Sequence, residues 1–274
     1  MKNVKILVCY DENLINEARE VLYKLSTLGF IVTLDNPIRN TSSDDTIDSS
    51  FDMVVSVGGD GTMLKASQKA ISKDKPIFGI NAGRVGFLTA FDFSEIDTLT
   101  DLDIFSLTAT KRMLLEVIID DNHEKKYLTL NDVVVSRNGI SKTIELKVFG
   151  DNSLIGEYRG DGIIISTPTG STGYSLSAGG PIVDPLLDVI LVTPICAHSL
   201  FSRSIALDSN KRVKVEISSR KDTDVYVSLD STHMIKPAEG FSISVYKSEK
   251  TLRLLSSKKK DYYEVLSKKI GSNY

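Results

Sequence analysis

Asp60 stands alone as a carboxylate inside a glycine-rich turn, Val57-Gly-Gly-Asp-Gly-Thr62. Gly58, Gly59 and Gly61 let a backbone bend sharply and approach a ligand, and N–H groups that open a following helix favour an anion. A carboxylate repels that anion, but it accepts protons and binds magnesium, so Asp60 is the catalytic candidate of the turn. An ordinary strand-turn-helix with an Asp near the helix start has the same residues, and Gly-Gly-Asp-Gly alone does not separate the two readings. A second segment does. Residues 159–181, RGDGIIISTPTGSTGYSLSAGGP, bracket a short apolar strand with Gly-Asp-Gly on one side and a dense cluster of hydroxyls and glycines on the other. Small hydroxyls hydrogen-bond a base or ribose, glycines admit a flat ring to the backbone, and Tyr174 can stack on it. Each segment alone passes for a loop; two in one chain point to a nucleotide and to chemistry on a phosphate.

The elements that must position these residues follow from hydrophobic periodicity. Residues 4–9 read as a strand, followed by a helix with Leu14, Ala18, Val21, Leu22, Leu25 and Leu28 on one face and Gly29 as its stop. Further strands are expected at 30–34, 52–57 and 76–80, with a polar loop at 40–50 and a helix after the glycine turn carrying Met63, Ala66, Ala70 and Ile71 inward. Such alternation predicts a parallel, Rossmann-like sheet, with ligands beyond the carboxyl ends of its strands, where Asp60 and Asn81 fall. After residue 100 the rhythm becomes β-rich, with strands expected at 114–119, 128–136, 144–149, 162–166, 213–217, 225–229 and 241–246, and an apolar run at 189–196. The fold class expected is therefore an α/β domain over 1–100 followed by an all-β, sandwich-like domain over 101–255. Helical spacing returns at 262–270, so residues 256–274 are expected to pack back on the first domain.

Composition bounds the rest. With 274 residues, 41% of them hydrophobic, the chain can bury a substantial core without staples. Cys9 and Cys196, each in an apolar run, read as buried reduced thiols, which favours the cytoplasm. No apolar stretch has the length of a signal peptide core or a membrane span, so no membrane partner is expected. A net charge of −3 argues against a large nucleic-acid surface, and the lysines at 258–260 read as a solvated face. Lys65, one turn into the helix after the glycine loop, and Arg84, in a second glycine-rich turn, are the cations available to phosphate, alongside Gly58, Gly59 and Thr62. His123 and His198 have no motif around them.

Taken together the segments resemble the NAD kinase family, whose superfamily includes the diacylglycerol, sphingosine and 6-phosphofructokinases. The blocks that carry the resemblance are Gly58-Gly-Asp-Gly-Thr62, Gly79-Ile-Asn-Ala-Gly-Arg-Val-Gly-Phe-Leu88, Asn131-Asp132 and the stretch 160–181. Gly-Gly-Asp-Gly-Thr is shared with lipid kinases, whereas Thr-Pro-Thr-Gly-Ser-Thr with Ala-Gly-Gly-Pro is specific to NAD kinases. The resemblance implies transfer of the γ-phosphoryl of ATP, or of another donor such as polyphosphate, to the 2′-hydroxyl of the adenosine ribose of NAD, with Mg²⁺ accompanying the donor. It implies that Asp60 activates that hydroxyl, Asn131 meets the adenine, and Asp132, where most members carry Glu, holds the nicotinamide ribose. Asp161 then lies near the nicotinamide carboxamide, and Gly61, Thr172, Gly173, Tyr174 and Ser177 line the dinucleotide pocket. Gly173 stands where many members have Ala. A histidine that some members place shortly after the equivalent of Asp230 has no counterpart here, because Ser231 follows and His233 lies two further on. The family is commonly oligomeric and can share its site between subunits, so a homodimer or homotetramer joined through the β-rich half is expected. A lipid kinase and a non-catalytic nucleotide-binding module are the alternatives; the polar cluster at 167–177 and the presence of Asp60 speak against them.

Overall fold

The computed structural model describes residues 3–37, 50–83, 86–138, 143–198, 202–218, 224–258 and 261–271. The expected loop at 40–50 and the lysines at 258–260 lie largely outside these, and so does Arg84. The chain divides into two compact units, Met1–Lys111 with Leu252–Tyr274, and Arg112–Thr251.

The first unit opens with β1 (Lys5–Tyr10), α1 (Ile15–Thr27), β2 (Ile31–Leu34), β3 (Met53–Val57), α2 (Asp60–Ser72), β4 (Ile77–Asn81), β5 (Phe91–Asp92) and α3 (Asp101–Phe105). Its strands β2-β1-β3-β4 pair in parallel in that order. β1, β3 and β4 are buried at nearly every residue, because helical crossovers cover a parallel sheet instead of leaving one face to water. Ala18, Val21 and Leu25 of α1 supply part of that cover. Gly29, at φ +90°, ends α1 in the left-handed turn that a Cβ disfavours, and the Phe30 N–H returns to the Leu25 carbonyl. α3 belongs to this unit through buried Ile104, and its Thr100 cap straddles the boundary expected at residue 100.

The second unit follows with β6 (Thr108–Ile119), β7 (Lys126–Thr129), β8 (Asp132–Arg137), β9 (Ile144–Gly150), β10 (Ser153–Gly160), β11 (Gly162–Ser166), α4 (Tyr174–Ser177), β12 (Val189–Ile195), β13 (Ile205–Asp208), β14 (Val213–Ser218), β15 (Val225–Leu229), β16 (His233–Ile235) and β17 (Ser242–Ser256). β6 carries the chain out of the first unit and β17 carries it back, to finish in α5 (Tyr262–Gly271). One antiparallel sheet of this unit has the order β13-β12-β11-β8-β15-β16; the other runs β10-β9-β14-β17, with β6 pairing β17 and β7. Alternate residues of both sheets, among them Val133, Val135, Ile163 and Ile165 from one and Leu146, Val148, Val213 and Val215 from the other, form one buried cluster. Two sheets sharing a core in this way make the sandwich expected from the sequence.

Among the described residues four strands were not expected from the sequence, the two-residue β5 beside β4 and the strands β10, β13 and β16, each of the last three at the edge of a sheet. Edge strands carry polar and exposed residues, so no apolar run announces them. The single strand expected at 128–136 is two, β7 and β8, divided at Leu130 and Asn131. A second correction concerns the thiols. Cys9 is buried, donates to Asp35 at 3.3 Å, and has its thiol pushed well above the ordinary value by burial and then by the Asp35 charge. Cys196 is exposed instead, in a left-handed turn (φ +46°) just past β12, because the apolar run ends with the strand.

Candidate active site

In the first unit the glycine turn joins β3 to α2. Gly58 has φ +150°, and a Cβ there would lie 2.4 Å from Thr62 Oγ1, so this position excludes a side chain. Gly59 caps α2 without a side chain, and Asp60 is the first helical residue. Among the described residues nothing stands within 4 Å of a Cβ built at Gly59 or Gly61.

The Asp60 carboxylate is held rather than loose. Its Oδ2 accepts the Phe87 N–H at 3.0 Å and its Oδ1 accepts the Leu88 N–H at 3.1 Å. Gly86 lies so close that a Cβ there would meet Oδ1 at 2.5 Å. Residues 86–88, the end of the second glycine-rich block, thus close on the carboxylate, a contact that the sequence reading did not assign to them. Lys269 of α5 completes the surround, its ammonium 3.4 Å from Oδ2 and 4.2 Å from the centre of the Phe87 ring. Lys269 is a residue that sequence reasoning missed: a lysine in the last turn of a terminal helix reads as a dipole-complementing surface charge. Of the cations the sequence offered, Lys65 is half-buried on α2. Asn81, buried at the end of β4, donates to the Gly83 carbonyl and to Asp92, while its Oδ1 has no partner among the described residues.

In the second unit Asp230 organises the segment that separates β7 from β8. It sits at φ +49°, and its carboxylate accepts the N–H groups of Leu130 (2.7 Å), Asn131 (2.7 Å) and Asp132 (3.1 Å). Three charge-assisted hydrogen bonds take these amides out of the ladder, which is why the expected strand breaks here. Asp132 is 4% exposed, and burial first, then the nearby Asp230 charge, raise its carboxyl to about 7. A Cβ at Gly173 would stand 3.5 Å from Asn131 Nδ2 and 4.0 Å from Asp132 Oδ2, so the structure brings Asn131, Asp132 and Gly173 together. Asn131 Oδ1 is buried with no partner among the described residues.

The hydroxyl cluster divides into two sets. Thr167 bonds the Leu130 carbonyl at 2.6 Å, Ser171 joins Val183, and Ser175 joins Thr193 at 3.0 Å; these buried hydroxyls hold the loop. Thr172, Gly173, Tyr174 and Ser177 are partly or fully exposed, with the Thr172 hydroxyl 3.5 Å from the Thr169 carbonyl. Asp161 lies elsewhere. Ser166 pairs with Asp132 at one end of β11, whereas Asp161 precedes Gly162 at the other, paired with Arg137 at 2.8 Å. Five strand steps at about 3.3 Å separate the two ends by roughly 17 Å. His233, left without a role by the sequence, packs on the Tyr127 ring.

Comparisons with known proteins identify the family to which the two halves of the chain belong. Residues 6–103 match the ATP-NAD kinase N-terminal domain and residues 130–257 the ATP-NAD kinase C-terminal domain. An NAD kinase of Caldicellulosiruptor bescii is 41% identical over 228 residues, 81% of this chain and 83% of that protein. Among solved structures, an NAD kinase from Archaeoglobus fulgidus in complex with ATP superposes with a TM-score of 0.77 at 28% identity, covering 98% of this chain and 99% of that one. Yeast NADH kinase complexed with NADH gives 0.83 over 99% of this chain and 88% of its own, and at 23% identity that likeness bears on the fold.

Proposed function

This chain belongs to the NAD kinase family, and we propose that it transfers the γ-phosphoryl group of ATP to the 2′-hydroxyl of the adenosine ribose of NAD, giving NADP and ADP. The observation that carries the reading is the Asp60 carboxylate, fixed by two backbone N–H groups at the mouth of a glycine turn. A sugar hydroxyl is a weak nucleophile. A positioned carboxylate accepts its proton as the bond from O2′ to phosphorus forms and the bond to the leaving diphosphate breaks. Asn131 Oδ1, buried and unpartnered among the described residues, suits the exocyclic amine of adenine, and Asp132 suits the hydroxyls of the nicotinamide ribose. Gly61, Thr172, Gly173, Tyr174 and Ser177 line the rest of the dinucleotide site in this reading. Gly58, Gly59, Thr62, Lys65 and Arg84 attend the donor phosphates.

A magnesium ion carried by the donor fits the residues present. Among the described residues no group of three or more His, Cys, Asp or Glu stands together, so phosphate oxygens and water would supply most of the ligands. When bound, the ion offsets charge on the transferring phosphoryl group. Cytoplasmic location, the absence of nucleic-acid and membrane partners, and assembly as a homodimer or homotetramer belong to the same proposal. No described helix is long and apolar enough to cross a membrane. Apolar Leu176, Ile182, Leu186 and Leu187 are exposed beside the loop of Thr172 to Ser177, which supports a covered face there.

A lipid-kinase reading finds no support in the matching families or relatives. Purified protein given Mg²⁺ with ATP or polyphosphate, and NAD or diacylglycerol, tests the proposal by mass spectrometry. The expected product is NAD phosphorylated at the 2′ position; phosphatidic acid, or no product at all, would overturn it.

A further inference from the structure

We propose that Lys269 is a positioning residue for Asp60, through which the C-terminal helix selects the carboxylate oxygen that takes the proton. The inference rests on Asp60 being the base. A carboxylate oxygen offers two in-plane acceptor sites. Oδ2 receives the Phe87 N–H and the Lys269 ammonium, which fills both; among the described residues Oδ1 receives the Leu88 N–H alone, which leaves one site open. The proton acceptor is therefore Oδ1, the oxygen against which Gly86 also presses. Without Lys269 each oxygen would carry one N–H, and hydrogen bonding would no longer distinguish them.

Phe87 makes helix and loop a single device. Its N–H holds Asp60, its ring carries the ammonium at 4.2 Å, and the same ring packs on Tyr262 at 5.7 Å. Asp261 starts α5 by accepting the Tyr263 and Glu264 N–H groups, and Val265 buries beneath it, so Lys269 is placed by a helix anchored at its other end. At 34% side-chain exposure the ammonium remains near water, and replacing it leaves no buried hole.

A double-mutant cycle on the full chain tests the assignment. Lys269→Met is expected to lower kcat about tenfold, with KM for NAD and for ATP each changed less than about twofold, and Lys269→Arg to recover most of the rate. In an Asp60→Asn background, Lys269→Met is expected to cost nothing further, because its effect passes through that carboxylate. Wild-type kcat in Lys269→Met with an inactive Asp60→Asn would overturn the role of Lys269 alone. Wild-type turnover in Asp60→Asn would overturn the base itself. A loss confined to KM for ATP would make Lys269 a donor ligand, and a loss that multiplies with Asp60→Asn would make it merely structural; either result refutes the proposal.

Discussion

Two carboxylates, Asp60 and Asp132, meet different surroundings, and their behaviour should differ accordingly. Asp60 accepts two backbone N–H groups and a lysine, which fix where its two oxygens lie. Asp60→Asn keeps the size and loses the basicity, so kcat should fall by about two to four orders of magnitude while the dissociation constant for NAD changes little; binding and single-turnover measurements separate these quantities. Asp132 is buried beside Asp230, and its raised carboxyl favours the protonated form near neutrality. Ribose hydroxyls donate to a carboxylate more strongly than to a carboxylic acid, so NAD should bind with release of up to one proton around pH 6 to 7. Calorimetry in buffers of different ionisation enthalpy should then give different heats, and Asp132→Asn should abolish the difference. Equal heats for the unmodified protein would remove Asp132 from the ribose contact. The same shift bears on folding. With the folded value above the unfolded one of 3.8, the native state binds the extra proton, so this group's contribution to stability declines as pH rises from about 4 through about 7.

Between residue and molecule stand the elements that aim these groups, and the second glycine block shows how tightly they do so. Gly86→Ala would place a methyl 2.5 Å from Asp60 Oδ1, and either the carboxylate or the loop holding it must move. A shift of that size should lower kcat about a hundredfold with the melting temperature little changed; kinetics beside a thermal scan would check it, and an unaltered kcat would show that the loop yields without disturbing Asp60. The strand-turn-helix around Asp60 was legible in the sequence because apolar periodicity changes there and glycines mark the change. The contacts of the turn were not. That the loop at 86–88 and Lys269 would close on Asp60 depends on pairing across 27 and 209 positions of chain, which no local pattern encodes. Asp230 was opaque for the same reason, since its three acceptor bonds reach back about a hundred residues. The hydroxyl cluster was legible as a whole but not in its parts, because a threonine buried to hold a loop and a threonine left partly open to solvent look alike until burial distinguishes Thr167 from Thr172.

At the scale of the molecule, the position of Asp161 sets the main question. The resemblance assigns Asp132 to the nicotinamide ribose and Asp161 to the carboxamide, groups joined by a single glycosidic bond and a ring. Within one chain these side chains stand at opposite ends of β11, too far apart to serve adjoining groups of one ligand. The contradiction disappears if Asp161 belongs to the site of a neighbouring copy. A two-fold arrangement would then make each site from two chains and cover the exposed leucines beside α4. Mixing tests this directly. Asp132→Ala and Asp161→Ala should each bind NAD weakly as pure proteins. Subunits exchanged between them should regain activity at low NAD concentration, because a mixed pair contains one site with both aspartates. Random mixing into dimers makes half of them mixed, with one intact site in two, so recovery should approach about a quarter of the unmutated level. Recovery should also vanish on dilution below the dissociation constant of the assembly. A fully active monomer of 30.1 kDa by light scattering, or no recovery on mixing, would return Asp161 to its own chain and leave it the partner of Arg137 alone.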